Sequence, residues 1–325
     1  MKRVVSVSLG SSRRDSRLEL ELLGQRVLLE RVGTDGDLRR CAQLLESLDG
    51  QVDAIGLGGM DLFLQAGRRR YYLRDAVRLV RRVRHTPVVD GSGLKQAWEP
   101  YVVLHYLPEV VGYSLRGRRV LQVSSVDRYG MAEAFDRAGA QVVYGDFLFA
   151  LGLPFPLRSL RAVHVLAALL LPFLTQLPVG WLYPTGSRQE RTTPRYGGYF
   201  RWAEVVAGDF HFIRRYMPDD LRDKVVLSQT LTRQDVEELR RRGVALLVTV
   251  TPEIGGRSLG TNVIQALVVA FAGKPPEAIA PGEYVEWMQR LGFRPRVEWL
   301  NAPRGEELRR LYDRQAHDGA GGRTA

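Results

Sequence analysis

One lysine in this chain stands where an acid–base group would be useful. Lys95 follows Asp90, Gly91, Ser92 and Gly93 in TPVVDGSGLK, which reads as a short strand, a glycine-rich turn and the opening of a helix. A lysine shifts its pKa when partly desolvated, and its ammonium can pass the proton of a hydroxyl/ketone interconversion; an arginine cannot. Only four of the 47 basic residues are lysine (Lys2, Lys95, Lys224, Lys274), so one retained in such a turn is informative. Asp90 would orient it or bind a substrate hydroxyl, and Ser92 would add a substrate contact. The bland alternative is a surface lysine, with Asp90 serving as a helix cap.

The turn SSVDRYGMA is the second candidate. It follows an apolar strand and opens a helix, where unpaired backbone N–H groups and the helix dipole favour an anion. Ser124 and Ser125 take the places of the early glycines of a dinucleotide fingerprint, and Gly130 takes the close-packing place. Arg128 and Tyr129 lie in the same turn. Asp127 would repel a phosphate unless it caps the helix, and Arg128 would offset its charge. Asp146 ends the next strand 22 residues beyond Ser124, about the offset of an acid that bonds an adenosine ribose. No arginine follows it to receive a 2′-phosphate, so NAD is expected over NADP. The alternative is a structural turn with a satisfied cap.

Two later segments end strands of the same run. GDFHFIRRYMP places Gly208, Asp209 and His211 just beyond one of them. Asp209 would accept from a ribose or substrate hydroxyl, and His211 would serve as acid or base near neutral pH; the alternative is an N-cap and a packed histidine. Thr249 ends a further strand, and the loop IGGRSLG, with Gly255, Gly256 and Gly260, leads into a helix starting near Thr261. Thr261 and Asn262 would offer substrate contacts there, or ordinary capping. No histidine or cysteine has ligand-spaced partners, so no metal site is expected.

The elements that position these residues alternate. Strands are expected at Val4–Ser8, in a hairpin about Gly24-Gln25, in QVDAIGLGG, in a hairpin about Ala66-Gly67 and at Pro87–Asp90, with helices at Asp37–Leu48 and Arg74–Arg84. The second half repeats strand–helix–strand: strands at Arg119–Val123, Gln141–Tyr144, Glu204–Ala207, Val225–Ser228 and Ala245–Thr249, with helices over 128–138, 233–242 and 261–272. Thr232 and Asp235 read as a capping box. Such βαβ runs predict an α/β fold: a doubly wound, parallel Rossmann-type sheet preceded by a smaller α/β domain. The expected division is a substrate domain over 1–115, a nucleotide-binding domain over 116–275 and a helical segment with a frayed tail over 276–325.

Composition bounds the rest. A chain of 325 residues, 45% hydrophobic and 26% charged, has the balance of a globular protein. Its formal charge of +11 invites nucleic acid, but the arginine bias reads as a coding habit and no nucleic-acid motif supports it. The Arg68–Arg84 stretch reads as a solvated face or an anionic-partner surface. One cysteine, Cys41, and an N-terminus with too short an apolar run for a signal peptide lead us to expect a cytoplasmic protein. Residues 162–187 carry no charge apart from His164, but Pro172, Pro178 and Pro184 oppose one continuous spanning helix. This segment, within an apolar insertion over 150–190, is expected to be a buried excursion or homodimer surface, or, lying beside the crevice, to line a pocket for a bulky substrate. Membrane contact is the less favoured reading.

The strings VDAIGLGGMDLFL, TPVVDGSGLK, SSVDRYGMAEAF, GDFHFIRRYMPDDL and TPEIGGRSLGTNVIQAL, spread over most of the chain, resemble a bacterial group labelled quinate 5-dehydrogenase. The second half is similar to the amino-acid-dehydrogenase-like Rossmann domains of shikimate/quinate dehydrogenases. The Ser124–Gly130 spacing also resembles the cofactor turn of methylenetetrahydrofolate dehydrogenases. The resemblance implies an NAD(P)-dependent oxidoreductase interconverting a hydroxyl and a ketone on a small polar, carboxylated substrate such as quinate or shikimate. It further implies a catalytic lysine paired with an aspartate from a strand–helix segment, although the lysine motif N-x-T-x-P-x-K is not intact here. Lys95 or His211 would then handle the hydroxyl proton. The alternative is a nucleotide- or anion-binding module without redox activity.

Overall fold

The computed structural model describes residues 1–182, 192–254 and 257–321. The chain opens with β1 (Lys2–Ser8), β2 (Ser16–Leu22), β3 (Gln25–Gly33), α1 (Leu38–Leu48), β4 (Ala54–Gly58), β5 (Phe63–Ala66), β6 (Arg69–Tyr72), α2 (Arg74–Val80) and β7 (Val88–Val89). It continues with α3 (Ser92–Tyr101), extended by a π-helical stretch over Val102–Val111, then β8 (Arg119–Gln122), α4 (Tyr129–Arg137), β9 (Gln141–Tyr144), α5 (Leu160–Leu174), α6 (Val179–Leu182) and α7 (Gly197–Trp202). Next come β10 (Val205–Ala207), α8 (Phe210–Tyr216), β11 (Val225–Ser228), α9 (Arg233–Arg241), β12 (Leu246–Thr249), β13 (Glu253–Ile254), β14 (Arg257–Ser258) and α10 (Thr261–Ala272). Last are α11 (Pro281–Arg290), β15 (Arg296–Trp299) and α12 (Glu306–Gly321).

Two sheets carry the fold. The first runs β2-β3-β1-β4-β7, parallel except for β2 at its edge. The second runs β15-β12-β11-β10-β8-β9, parallel except for β15, which joins β12 antiparallel. In both, the strand order reverses beside the first strand: β3-β1-β4 in one, β9-β8-β10 in the other. A doubly wound sheet opens its ligand crevice at the carboxyl ends of the strands on either side of that reversal.

Alternate strand residues serve opposite layers, as the two-residue period of a strand requires. Val5, Val7, Ile55 and Leu57 pack with Leu45 of α1 on one side of the first sheet. Leu121, Val206, Val226 and Leu247 pack with Phe210 and Val236 on one side of the second. The remaining faces share one core, in which Val4, Ala54, Val120 and Leu227 are joined through Trp98, Phe135 and Ile264 of α3, α4 and α10.

Several elements differ from the sequence expectation. The first hairpin turns on Leu23-Gly24, both with positive φ, one residue earlier than expected. Helix α2 ends at Val80, where Arg84, His85 and Thr86 donate backbone N–H groups to Asp49 instead of continuing it. Pro172 lies inside α5, near its end, so the break comes after Leu174 and before Pro178. Among the described residues no helix is long and apolar enough to cross a membrane; the expectations for Pro184, for the end of the uncharged segment and for Gly255-Gly256 lie outside the described residues. Helix α12 continues to Gly321, past the point where fraying was expected. Helix α10 follows β12 in the chain but packs on β1 and β4 of the first sheet.

Candidate functional site

A cleft of about 430 Å³ lies where the two strand-order reversals meet. From the first sheet it is lined by Ser8 and Gly10 after β1, and by Gly58 to Asp61 after β4. From the second it is lined by Ser124, Val126, Asp127 and Arg128 after β8 and by Asp209 to Phe212 after β10. Lys95 of α3 reaches into it from the connection between the sheets.

Lys95 is not a surface lysine: it is only 7% exposed. Its Nζ donates to Asp127 Oδ1 at 2.7 Å and to Asp61 Oδ1 at 2.8 Å. Burial disfavours the ammonium, but Asp127 and Asp61 outweigh it and hold Lys95 protonated well above the ordinary lysine range. The two carboxylates differ. Burial drives the Asp61 pKa well up, with the charge of Asp127 adding to it and Lys95 opposing it. Asp127 also meets a burial penalty, but Lys95 and Arg128 hold it ionised, below the usual carboxylate range. A fixed ammonium thus sits between one firmly charged carboxylate and one that readily keeps a proton.

Asp127 does not cap α4; the cap position is Arg128, which makes no side-chain cap bond. Arg128 is 2% exposed and is held by three acids: it contacts Glu99 of α3 directly, and lies 3.7 Å from both Asp127 and Asp209. Glu99, fully buried, has its pKa raised by burial against the opposing Arg128 charge. The guanidinium therefore ties α3 to the ends of β8 and β10, rather than facing a phosphate.

The expected phosphate turn is already occupied from within. The Asp146 carboxylate accepts from the backbone N–H groups of Ser125 and Val126, at 2.9 Å each. Two backbone donors of this turn are thus used within the chain, by a carboxylate that itself lines the cleft, which leaves fewer free N–H groups there for the phosphates of a dinucleotide. Tyr129 also turns away: it is buried, and its hydroxyl lies 3.3 Å from His164 Nδ1 of α5. Gly130 does have a close-packing role, but against α3: a Cβ there would come within 2.5 Å of the Lys95 carbonyl oxygen.

The other expected residues divide. Asp209 caps α8 through the His211 N–H at 2.8 Å, accepts from Gln229 Nε2 at 2.6 Å and faces the cleft. His211 faces it too, exposed, as do Ser124, Thr261 and Asn262. Ser124 Oγ accepts from the Asp209 N–H, and Asn262 donates to Ser6 Oγ at 2.9 Å. Asp90 does not orient Lys95. It accepts from the N–H and hydroxyl of Ser92 and from the Leu62 N–H, and it lines the cleft, whereas Ser92 does not. Gly208 is engaged in the sheet through Leu227 and Ser228, and Thr249, fully buried, donates to the Thr251 carbonyl. Neither reaches the cleft.

Asp61 and Glu99 escaped the sequence reading. Asp61 could have been found: it is an acid directly after Gly58-Gly59-Met60, at the carboxyl end of a buried strand. Glu99 had no local signal, since its partner lies 29 residues on. Among the described residues no three acid, histidine or cysteine side chains gather as a metal site.

Comparison with known proteins gives no activity by inheritance. No curated protein matches the chain. Among solved structures, a galactofuranose binding protein aligns with TM-score 0.35 and 11% identity over 98% of this chain and 100% of that one. L-tryptophan dehydrogenase from Nostoc punctiforme aligns with TM-score 0.38 and 11% identity over 98% and 89%. A putative malic enzyme (malate oxidoreductase) aligns with TM-score 0.33 and 12% identity over 90% and 85%. Residues 3–90 match the model of a domain of unknown function, DUF8753. Residues 93–300, well over half of the chain and including Lys95, Asp127 and Asp209, match a second such model, and the chain belongs to that family, domain of unknown function DUF8754.

Proposed function

We propose that the cleft binds a small hydroxyl- or carbonyl-bearing molecule and that Lys95 exchanges a proton with its oxygen. The observation that carries this is the buried Lys95 ammonium, gripped by Asp127 and Asp61 at the meeting of the two crevices. An ammonium so placed donates to a carbonyl oxygen that is gaining negative charge. Asp127 and Asp61 keep the ammonium aimed and charged, which favours this direction over the reverse one, where a neutral Lys95 would have to take the hydroxyl proton.

This is the acid–base half of a hydroxyl/ketone interconversion. The finer proposal is an NAD(P)-dependent oxidoreductase acting on a carboxylated substrate such as quinate or shikimate. In its favour is a lysine paired with the aspartate of a strand–helix turn. Against it stands the occupied Ser125–Val126 turn, which favours the second reading, a binding protein without redox chemistry.

Calorimetric titration with NAD, NADP, quinate and shikimate, on wild type and on Lys95→Met, tests both. The oxidoreductase reading expects binding of at least one nicotinamide cofactor and loss of turnover by about a hundredfold or more in the variant. Binding of a hydroxy acid alone, weakened by Lys95→Met, selects the non-redox reading. A ligand in the cleft whose affinity and turnover ignore Lys95→Met would sink the proposal.

A further inference from the structure

The cleft is lined by charged residues at the strand ends and also by α5, inserted between β9 and β10. Leu166, Leu170 and Leu174 recur every four residues along it, so they form one stripe, and all three line the cleft. They are half-buried, whereas Ala167 and Leu171 beside them are buried. Leu64 of β5 and Phe212 of α8 add to this apolar lining. A densely hydroxylated ring such as quinate offers these side chains only its small C–H faces. Eight residues of helix separate Leu166 from Leu174, a rise of about 12 Å.

We infer that the molecule taken by this cleft is amphipathic, with a hydroxyl- or carbonyl-bearing polar head at Lys95 and an apolar chain or ring lying along Leu166, Leu170 and Leu174. The inference rests on the reading of Lys95 above and adds the substrate class. The polar head meets the charged residues of the lining; the apolar body removes from water what remains accessible of the half-buried leucine stripe. A chain of roughly eight to ten carbons matches the length of the stripe.

Titration calorimetry of the full chain with 3-hydroxybutyrate, 3-hydroxyhexanoate, 3-hydroxyoctanoate and 3-hydroxydecanoate, each below its micellar concentration, tests it. Affinity is expected to rise about fourfold per buried methylene. Lys95→Met should weaken every member by a similar factor. Leu170→Asn should flatten the dependence on length, and Leu166→Gln repeats the test if Leu170→Asn does not fold. The outward residues Leu169 and Phe173 are exposed, so Leu169→Gln with Phe173→Gln should leave the dependence intact. Loss of the dependence in that double variant would mean adsorption outside the cleft and overturn the inference. Binding that ignores chain length but responds to Lys95→Met overturns the amphipathic class alone. Length-dependent binding that ignores Lys95→Met overturns the Lys95 reading with it, as does no binding by any member.

Discussion

The backbone nitrogen of Ser125 lies 2.9 Å from the carboxylate of Asp146, and the same oxygen also takes the Val126 N–H. A residue expected to face a ribose instead closes the turn expected to face a phosphate. Asp146→Ala would leave two sheltered donors without an acceptor, at about 1–3 kcal/mol each. A loss of about 2–6 kcal/mol in urea unfolding is the expected outcome. Asp146→Asn keeps an oxygen for both donors and removes a charge that burial already disfavours, so it should lose clearly less. Equal losses in the two variants would contradict this arrangement.

The two acids on Lys95 should respond unequally to neutralisation. Asp127 is held ionised, so Asp127→Asn should cost about 3–5 kcal/mol at neutral pH. Asp61 keeps a proton readily, so Asp61→Asn should stay within about 1 kcal/mol of wild type. The signs with pH also differ. Asp127, with its pKa lowered on folding, contributes stability present above the ordinary carboxylate range and lost as pH falls through its lowered value. Asp61, with its pKa raised, contributes stability at low pH that is lost as pH rises through its raised value. Urea midpoints of wild type and both variants, measured from acid to neutral pH, check the asymmetry; a larger loss from Asp61→Asn refutes it.

Gly130→Ala sets helix propensity against packing. Alanine in an exposed helix interior gains about 1 kcal/mol over glycine. Here the added Cβ would lie 2.5 Å from the Lys95 carbonyl oxygen and 3.1 Å from Gln96 Cα, both backbone atoms of α3. We expect a net loss of about 1–3 kcal/mol and weaker ligand binding, because α4 carries Asp127 at its entry. A stabilised variant with unchanged affinity would show that the two helices are not in close contact.

The fully buried Cys41 thiol has its pKa pushed up to about 11, first by burial and then by the Asp37 charge. It should react with a thiol-specific disulfide reagent at pH 8 only as fast as the protein opens. Labelling at the rate of a free thiol in native buffer would show that α1 does not cover it.

The sequence made the periodic features legible and the distant ones not. The capping box at Thr232 and Asp235 lies within three residues, and each strand of the second sheet is a short apolar run bounded by turn residues. Lys95 was legible as chemistry because a lysine in this arginine-rich chain is unusual. Its partners were not, since Asp61 and Asp127 lie 34 and 32 residues away. Asp127 and Asp146 were each given the role their neighbours suggested, cap and ribose acceptor. Charge pairing decided the first instead, and two sheltered N–H donors the second. Tyr129 was placed by proximity to a turn, but the helix it begins rotates it toward His164.

The path of α10 bears on how this chain can be cut. The polypeptide leaves the first sheet through α3, builds β8 to β12, returns to cover β1 and β4 with α10, then crosses again to supply β15. A fragment ending near residue 115 would therefore expose the face of β1 and β4 that Ile264 and its neighbours seal, while the complementary fragment would carry α10 with no sheet beneath it. Neither piece is then expected to fold as a separate module. Recombinant halves should be insoluble alone and recover only when expressed together, and a protease nick between α10 and α11 should leave the assembly intact until it is denatured.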